Sequence, residues 1–365
     1  MTTRSAKRIF VTDCEGPISK NDNAYELTSH FIPNGEKIFS LISKYDDVLT
    51  DVLKRKDYKA GGTLKLILPF LRTYGVTNQK MKDFSERNIF LISGAKDTMQ
   101  FVQKIMPSFI VSTSYEHYLS ALCKAVGFPF ENTYNTKVNI DAYSTTKEET
   151  ETLKQIAKEI AKMPMLTITK NTKSIEDFSE KDQRIIRRLD EIFWIEIANM
   201  ESGRIFGEVN PVGGSEKAEA IKDVVRKVGV ALADVMYVGD SITDIEAFKL
   251  VRENGGLTVS FNGNEYAVKN AEIAVLSENS IVTAVIADAF ATFGKEQTLR
   301  LVENWTHEAL TKSRVNKTLL ANLFRLYPSE LPKVKIITSE NMETLAKESI
   351  DFRKKVRGEA IGQLG

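Results

Sequence analysis

The sequence predicts an α/β protein whose core is a Rossmann-like sheet with helices on both faces, a three-layer α/β/α arrangement. Three short apolar segments, each typical of a buried strand, end at a polar residue: 8–12, 107–111 and 235–239. The residues that follow them are Asp13, Ser112 and Asp240. Because open α/β sheets bind ligands beyond the carboxyl ends of their strands, we expect a functional site at these three side chains.

The first motif is Phe10-Val11-Thr12-Asp13-Cys14-Glu15-Gly16-Pro17, in which a strand runs into an acid and a Gly-Pro turn follows. A strand-end aspartate can act as a nucleophile and form an aspartyl-phosphate. The same pattern is also typical of an acid that only hydrogen-bonds the next loop. Cys14 offers a thiol nucleophile instead, but the alternation of a strand turns its side chain away from that of Asp13.

A second acidic cluster, Asp240 and Asp244, follows the strand at 235–239. Gly239 permits a sharp turn, and Ser241 can cap the helix that begins there. We therefore expect both carboxylates near the end of the strand, where paired oxygen ligands suit a hard cation such as Mg²⁺. The alternative is a helix cap with an acid that complements the helix dipole.

Two further positions can hold phosphate oxygens. Ser112, with Thr113 after it, stands between a strand and a helix start, where a hydroxyl and backbone N–H groups can bind an anion together. Lys217 opens an amphipathic helix, a place that the helix dipole disfavours for a cation. A point charge that binds phosphate would explain it. An ordinary helix cap and a solvated surface lysine are the alternatives.

Four of these residues follow the order acid, hydroxyl, lysine and acid pair: Asp13, Ser112, Lys217 and Asp240. This order resembles that of the haloacid dehalogenase-like hydrolase superfamily, most of whose members are Mg²⁺-dependent phosphatases. Residues 112–118 and 205–221 are similar to the phosphoserine-phosphatase-like branch, and Asp-Cys-Glu-Gly-Pro resembles the first motif of an archaeal-type subgroup. The resemblance covers three stretches: 7–19, 93–142 and 203–276.

The resemblance implies Mg²⁺-dependent hydrolysis of a small phosphorylated metabolite through an aspartyl-phosphate. Asp13 is the implied nucleophile, and Glu15 the implied general acid and base. The implied metal ligands are Asp13, the Glu15 carbonyl and Asp240. The implied phosphate ligands are Ser112, Thr113, Lys217 and Asn262, with Asp244 orienting magnesium waters or Lys217. Asn262 follows a predicted strand at 257–260, although its Asn-Gly pair is also typical of a plain turn.

One residue departs from the family pattern. The second acid of the first motif is usually aspartate, whereas this chain has Glu15, whose extra methylene shifts the carboxyl by about 1.5 Å. A misplacement of about 1 Å can cost roughly 10²-fold in rate. Two other functions therefore stay open: phosphotransferase or mutase chemistry at the same site, and an accessory or binding subunit with weak turnover.

Composition agrees with a soluble cytoplasmic enzyme. The 365 residues carry a formal net charge of +1, which gives no electrostatic reason to expect nucleic acid or an acidic membrane as a partner. Two cysteines suit a reducing compartment. No apolar run reaches the ~18 residues of a membrane span, and residues 1–7 lack the apolar stretch of a signal peptide.

The spacing of the motifs predicts four regions. They are a catalytic core of residues 1–19, 93–142 and 203–285, a helical cap of 20–92, a helical insertion of 143–202 and a C-terminal helical extension of 286–365. A cap closes over a site and selects its substrate. The insertion or the C-terminal helices are expected to pack, to form a homodimer or to bind a protein partner. Within these regions the sequence predicts helices at 36–54, 63–74, 78–87, 94–106, 146–163 and 175–197, and strands at 136–140, 165–169 and 204–209.

Overall fold

The computed structural model describes residues 8–169 and 172–364. The expectation about a signal peptide in residues 1–7 lies outside the described residues. Seven strands of the described chain form one sheet: β1 (Ile9–Thr12), β2 (Ser108–Tyr115), β3 (Thr133–Thr136), β4 (Val235–Gly239), β5 (Leu257–Phe261), β6 (Ile273–Leu276) and β7 (Lys333–Ile336). Their order is β3-β2-β1-β4-β5-β6-β7, and all pairs are parallel except β6 with β7. The predicted α/β fold is confirmed.

Eighteen α-helices occur in the described chain. They are α1 (Asn23–Phe31), α2 (Gly35–Asp47), α3 (Thr63–Thr73), α4 (Asn78–Arg87), α5 (Ala95–Ile105), α6 (Glu116–Val126), α7 (Lys147–Lys162), α8 (Glu180–Glu191), α9 (Ile205–Glu208), α10 (Ser215–Val228), α11 (Ile245–Glu253), α12 (Glu265–Asn270), α13 (Ile281–Phe293), α14 (Lys295–Glu303), α15 (His307–Lys312), α16 (Lys317–Leu326), α17 (Met342–Arg357) and α18 (Glu359–Gly362). Four of the five predicted helices before residue 170 match the structure to within about a residue at each end. The fifth, 36–54, corresponds to α2 and to a π-helical turn, Val48–Val52, that continues it. Of the predicted helix 175–197, α8 forms the middle part.

Each face of the sheet is covered by helices. Along β1, Phe10 packs with residues of α5, α6 and α13, whereas Ile9 and Val11 pack on the opposite face with residues of α10 and α11. Side chains alternate between the faces of a strand, and a parallel sheet buried on both faces reads as a continuous apolar run. The short apolar strands of this chain are therefore the middle layer of three.

The predicted cap and insertion share one hydrophobic cluster. Residues of α1 to α4 and residues of α7, α8 and α9 belong to the same buried group, in which Tyr45 and Phe193 stack at 5.9 Å. The amphipathic faces of both regions therefore pack against each other. The division of the chain into the four regions stays a prediction.

Three predicted strands are wrong. The pairing strand beside β2 is β3 at Thr133–Thr136, not 136–140, because Val138 and Ile140 turn into the cluster of the cap region. Residues 204–209 form the single turn of α9, with Ile205 buried in the same cluster. Residues 165–169 carry no strand. Their apolar residue Leu166 packs in this cluster instead of pairing in a sheet.

The C-terminal region is more than a helical extension. Its β7 adds an antiparallel edge strand to the sheet, with Val275 paired to Val334. Leu345 of α17 packs with Val268 and Leu276 of the core. This packing fixes α17 beside the carboxyl ends of the strands. No helix of the described chain is long and apolar enough to cross a membrane.

Candidate active site

The central strands place the two acidic motifs next to each other. In the β1–β4 pair Thr12 lies opposite Val238, and the Asp13 N–H donates to the Val238 carbonyl at 2.8 Å. Asp13 and Asp240 thus leave neighbouring strands at the same edge of the sheet, the ligand-binding edge of an open α/β sheet. Both side chains are buried.

Lys217 connects the acids. Its ammonium group donates to Asp13 Oδ2 at 2.6 Å and to Asp244 Oδ1 at 2.7 Å. The side chain is fully buried, so the alternative of a solvated surface lysine is wrong. Burial lowers the pKa of Lys217, but the two carboxylates outweigh it and hold the pKa above its ordinary value. Burial raises the pKa of Asp13 to about 7, against the attraction of Lys217.

Asp244 shapes the loop after β4. Its carboxylate accepts from the N–H groups of Asp240 and Ser241, at 2.9 and 3.0 Å, and from the hydroxyl of Tyr237 at 2.5 Å. Gly239 is required there because a β-carbon would lie 2.5 Å from Asp244 Cγ. Asp244 therefore holds both the Asp240 backbone and Lys217 in place.

Glu15 reaches a different element. Its Oε1 accepts the N–H of Asn23 at 2.8 Å, at the start of α1. Desolvation and the neighbouring Asp22 raise the pKa of Glu15 well above its ordinary value. The longer side chain thus ties the first motif to the first helix of the cap region. This contact is a structural reason for glutamate where the family pattern has aspartate.

The hydroxyl motif lies inside a strand. β2 continues to Tyr115, so Ser112 and Thr113 do not stand between a strand end and a helix start as predicted. Pairing with β3 shifts register between Val111 and Tyr115, and this irregularity lets neighbouring residues face the cleft. Ser112 Oγ donates to Ser114 Oγ at 3.0 Å, and the buried Thr113 Oγ1 has no hydrogen-bond partner among the described residues.

Asn262 is placed apart from the cleft. Its amide nitrogen donates to the Ser277 carbonyl at 2.8 Å, and its Oδ1 accepts the Ser277 N–H at 2.9 Å. The side chain joins the ends of β5 and β6 and does not line the cleft. Its role toward phosphate stays a prediction.

Arg353 and Arg357 of α17 belong to the site, and sequence analysis missed them. Both donate to Asp240 Oδ2, Arg357 at 3.0 Å. The signal in the sequence is their i, i+4 spacing, which puts two arginines on one helix face. Exposed helices carry the same pattern, so the spacing by itself did not separate them from surface charges.

These residues surround a cleft of about 100 Å³ that is open to solvent. Residues at the carboxyl ends of the strands form its floor, and residues of the cap region form its outer wall. The residues that line it are Asp13, Glu15, Asp22, Phe39, Ser43, Asp46, Asp47, Gly61, Thr63, Leu64, Ser112, Thr113, Asp240, Ser241, Ile242, Thr243, Arg353, Arg357 and Leu364. Five of the eight predicted site residues are among them: Asp13, Glu15, Ser112, Thr113 and Asp240.

The donor set fits a divalent cation. Carboxylate oxygens of Asp13, Asp240 and Asp244 lie within 4.8 Å of one another, and all three residues are buried. Gly16 has φ +96°, and a β-carbon there would overlap the Asp240 carboxylate. Gly16 therefore lets the Asp240 carboxylate lie against the backbone of the first motif. Oxygen ligands of this kind suit Mg²⁺. Asp13 and Asp240 line the cleft, whereas Lys217 and backbone N–H groups hold Asp244.

A family model described as haloacid dehalogenase-like hydrolase matches residues 91–289. This stretch contains Ser112, Lys217 and Asp240 and begins after Asp13. Among curated proteins, the phosphoserine phosphatase of Archaeoglobus fulgidus is 31% identical over 110 residues, which are 30% of this chain and 30% of that protein. The chain thus matches about a third of the length of this relative.

Solved structures are similar as well. A gene product from Archaeoglobus fulgidus superposes with a TM-score of 0.79 at 27% identity, over 98% of this chain and 99% of that chain. A phosphoserine phosphatase in its apo form covers 80% of this chain and 100% of its own, with a TM-score of 0.41 and 12% identity. The first of these similarities extends over the core, the cap region and the C-terminal region together.

Proposed function

The chain belongs to the haloacid dehalogenase-like hydrolase family, and from this premise we propose that it hydrolyses a small phosphomonoester through an aspartyl-phosphate on Asp13. One observation carries the proposal: Lys217 Nζ bridges Asp13 and Asp244 in a buried cluster at the carboxyl ends of β1 and β4. Phosphoryl transfer needs positioning and charge neutralisation above all, and this cluster supplies both.

Asp13 is held ready to attack. Its Oδ1 accepts the N–H of Cys14 at 2.6 Å, and its Oδ2 accepts from Lys217. In the first step a carboxylate oxygen of Asp13 forms a bond to phosphorus, and the bond from phosphorus to the ester oxygen breaks. Lys217 and the hydroxyls of Ser112 and Thr113 supply hydrogen bonds to the phosphoryl oxygens as charge develops on them.

Glu15 moves the proton. In the first step it protonates the leaving alkoxide, so the alcohol departs neutral. In the second step it takes a proton from water, the water oxygen bonds to phosphorus, and the acyl phosphate bond to Asp13 breaks to release inorganic phosphate. The raised pKa of Glu15 suits the first step, because it keeps the proton available near neutral pH.

Mg²⁺ is the proposed cofactor, with Asp13, Asp240 and the Glu15 carbonyl as its ligands. When bound, it screens the repulsion between the substrate phosphate and the carboxylates. Support comes from the buried carboxylate cluster and from Gly16, which lets the Asp240 carboxylate lie against the backbone of the first motif. Asp244 holds the loop that carries Asp240, which keeps a metal-binding carboxylate oriented.

We also propose that α1 to α4, together with the helices of 143–202, form a cap that selects the substrate. Their shared hydrophobic cluster and the contribution of Phe39 and Leu64 to the cleft support this. A cytoplasmic location, and a homodimer or protein partner at 143–202 or at the C-terminal helices, stay predictions.

The test is phosphate release from p-nitrophenyl phosphate and from a panel of phosphorylated metabolites, with Mg²⁺ or with EDTA. We expect release that requires Mg²⁺ and is lost in Asp13→Asn. Intact mass after acid quenching of wild type should show a phosphoryl adduct that is lacking in Asp13→Asn. If folded protein that binds Mg²⁺ releases no phosphate from any ester, hydrolysis is wrong, and transfer to another hydroxyl or an accessory role takes its place.

A further inference from the structure

Two arginines from the C-terminal helix α17 converge on one oxygen of Asp240. Arg353 and Arg357 are 3% and 9% exposed, and each donates from Nη1 to Asp240 Oδ2. Buried guanidinium groups are costly unless they are paired and hydrogen-bonded. The carboxylate of Asp240 is thus neutralised by side chains that lie 113 and 117 residues further along the chain.

The two arginines differ in how they are held. Arg357 is anchored at its other nitrogens, since Nε donates to the Lys20 carbonyl at 3.0 Å and Nη2 donates to the Asn21 carbonyl. Arg353 has weaker support, with Nη2 at 3.5 Å from the Leu364 carbonyl. Its Nε is buried and has no hydrogen-bond partner among the described residues.

An unpartnered buried N–H is uncommon and calls for a reason. Arg353 lines the same cleft as Asp13 and Ser112, so its guanidinium group lies beside the place where the substrate phosphate is expected. Guanidinium groups bind phosphate oxygens with charge-assisted hydrogen bonds. The unpartnered Nε therefore leaves Arg353 a hydrogen-bond donor that no protein group uses.

The charges of the cluster support the same ligand. Three carboxylates, those of Asp13, Asp240 and Asp244, stand against three cations, those of Lys217, Arg353 and Arg357, so these six groups sum to zero. A divalent cation on Asp240 would compete with the guanidinium groups for the same carboxylate. A guanidinium group displaced from Asp240 then needs another anionic partner, because a buried charge without a partner is costly.

Four more acids line the cleft: Glu15, Asp22, Asp46 and Asp47. The arginine pair therefore supplies beside Asp240 the positive charge that a divalent cation would otherwise bring.

We propose that Arg353 exchanges partners: it holds Asp240 while the cation site is empty, and it binds the substrate phosphate once a divalent cation takes Asp240. Arg357 keeps its backbone anchors throughout. Arg353 is then a substrate-binding residue contributed by the C-terminal region, and it competes with the cation for one carboxylate. The phosphate half of this inference rests on the proposed function, whereas the competition for Asp240 does not.

Calorimetric titration of the full chain tests both halves without turnover. Mg²⁺ alone is titrated first, into wild type and Arg353→Ala. We expect Arg353→Ala to bind Mg²⁺ at least about fivefold more tightly, because a competing cation is gone. Inorganic phosphate is then titrated into the Mg²⁺-saturated proteins, and Arg353→Ala should bind it at least about tenfold more weakly.

Lys355→Ala is the matched control. It removes one positive charge from the same helix, but its side chain is 66% exposed and pairs with Glu278 away from the cleft. Neither affinity should change in it by more than about twofold, since exposed charges are screened. Arg353→Lys keeps a cation at the position and provides a second variant if the alanine protein unfolds. It should bind Mg²⁺ nearly as wild type does and phosphate with an intermediate affinity.

Several results overturn the proposal. Unchanged or weaker Mg²⁺ binding by Arg353→Ala would mean that Arg353 positions Asp240 for the cation instead of competing with it. Unchanged phosphate binding would remove Arg353 from the substrate site. Absence of Mg²⁺ binding by wild type overturns the exchange as well. Failure of the proposed function is separate, because it appears as no phosphate release from esters while the two titrations still respond to Arg353.

Discussion

Lys217 Nζ lies 2.6 Å from Asp13 Oδ2, although 204 residues separate the two in sequence. The contact joins α10 on one face of the sheet to the end of β1 in its middle. Both groups are buried, and the second carboxylate on Lys217 belongs to Asp244. A single ammonium group thus neutralises parts of two separate motifs.

Replacing this ammonium group should therefore damage folding as well as activity. Lys217→Met leaves two buried carboxylates without their cation, and breaking a buried pair costs roughly 3–5 kcal/mol of unfolding free energy. Chemical denaturation of Lys217→Met and wild type at about pH 7.5 measures this loss, and Lys222→Met on the more exposed side of α10 is the control. A loss below about 1 kcal/mol, with phosphate release retained, would contradict the role of Lys217.

Glu15→Gln should slow phosphate release by about 10²- to 10⁴-fold. The amide oxygen can still accept the hydrogen bond from the Asn23 N–H, but the amide group cannot transfer a proton. Glu15→Asp restores the residue usual in the family but is too short to keep the contact with α1. We expect it to be slower than wild type too. Steady-state phosphate release and thermal unfolding of the three proteins separate catalysis from folding. Full activity of Glu15→Gln would remove Glu15 from proton transfer.

Gly16→Ala should weaken Mg²⁺ binding by more than about tenfold, since the new β-carbon would overlap the Asp240 carboxylate. The substitution also places alanine at φ +96°, which strains the backbone by about 1 kcal/mol or more. Gly229→Ala separates these effects, because Gly229 has φ +73° and a β-carbon there would meet no atom within 4 Å. Equal Mg²⁺ affinities in the two variants would show that the close approach of the Asp240 carboxylate to Gly16 is not needed for Mg²⁺ binding.

Asp46→Asn should change how stability depends on pH. Burial raises the pKa of Asp46 from 3.8 to about 6, with Asp47 adding to the rise and hydrogen bonds from Thr63 opposing it. The folded state then holds more protons than the unfolded state between these values. Wild type loses stability from this group as pH rises from about 4 to about 6, and the loss is complete above the folded-state pKa.

The asparagine variant carries no such loss. Its free energy of unfolding should therefore rise relative to that of wild type, so that the variant gains roughly 3 kcal/mol of relative stability between about pH 4 and pH 7. Denaturation at about pH 4, 5.5 and 7 measures the difference, with the exposed Asp97→Asn as control. A difference that stays constant with pH would contradict the raised pKa.

The positions of the residues that follow strands could be predicted from the sequence. Asp13, Asp240 and Asp244 lie together because a buried strand has a recognisable apolar pattern and because parallel strands end at one edge. Ser112 lines the cleft as expected, but it lies inside β2 and not at the end of a strand. The strand proposed at 136–140 was misplaced because its apolar residues face the cap region, a choice that tertiary packing makes.

Arg353 and Arg357 were beyond such an analysis. Their role depends on the position of α17. The position of α17 depends in turn on the antiparallel pairing of β6 with β7, which no local sequence pattern predicts. The partner of Glu15 was hidden for a similar reason, because the contact with Asn23 requires the path of the loop between them. The spacing of motifs in a sequence does not predict contacts that arise from the packing of distant elements.

Because β7 and α17 come late in the sequence, they are also made late during synthesis of the chain. A chain that has left the ribosome as far as Leu276 already carries Asp13, Lys217, Asp240 and Asp244, but neither β7 nor the guanidinium groups that hold Asp240. Its acidic cluster then has Lys217 in place and lacks the other two cations. The two guanidinium groups that neutralise Asp240 are therefore synthesised after all the other charged groups of the cluster, and Asp240 gains these partners only once α17 has been made.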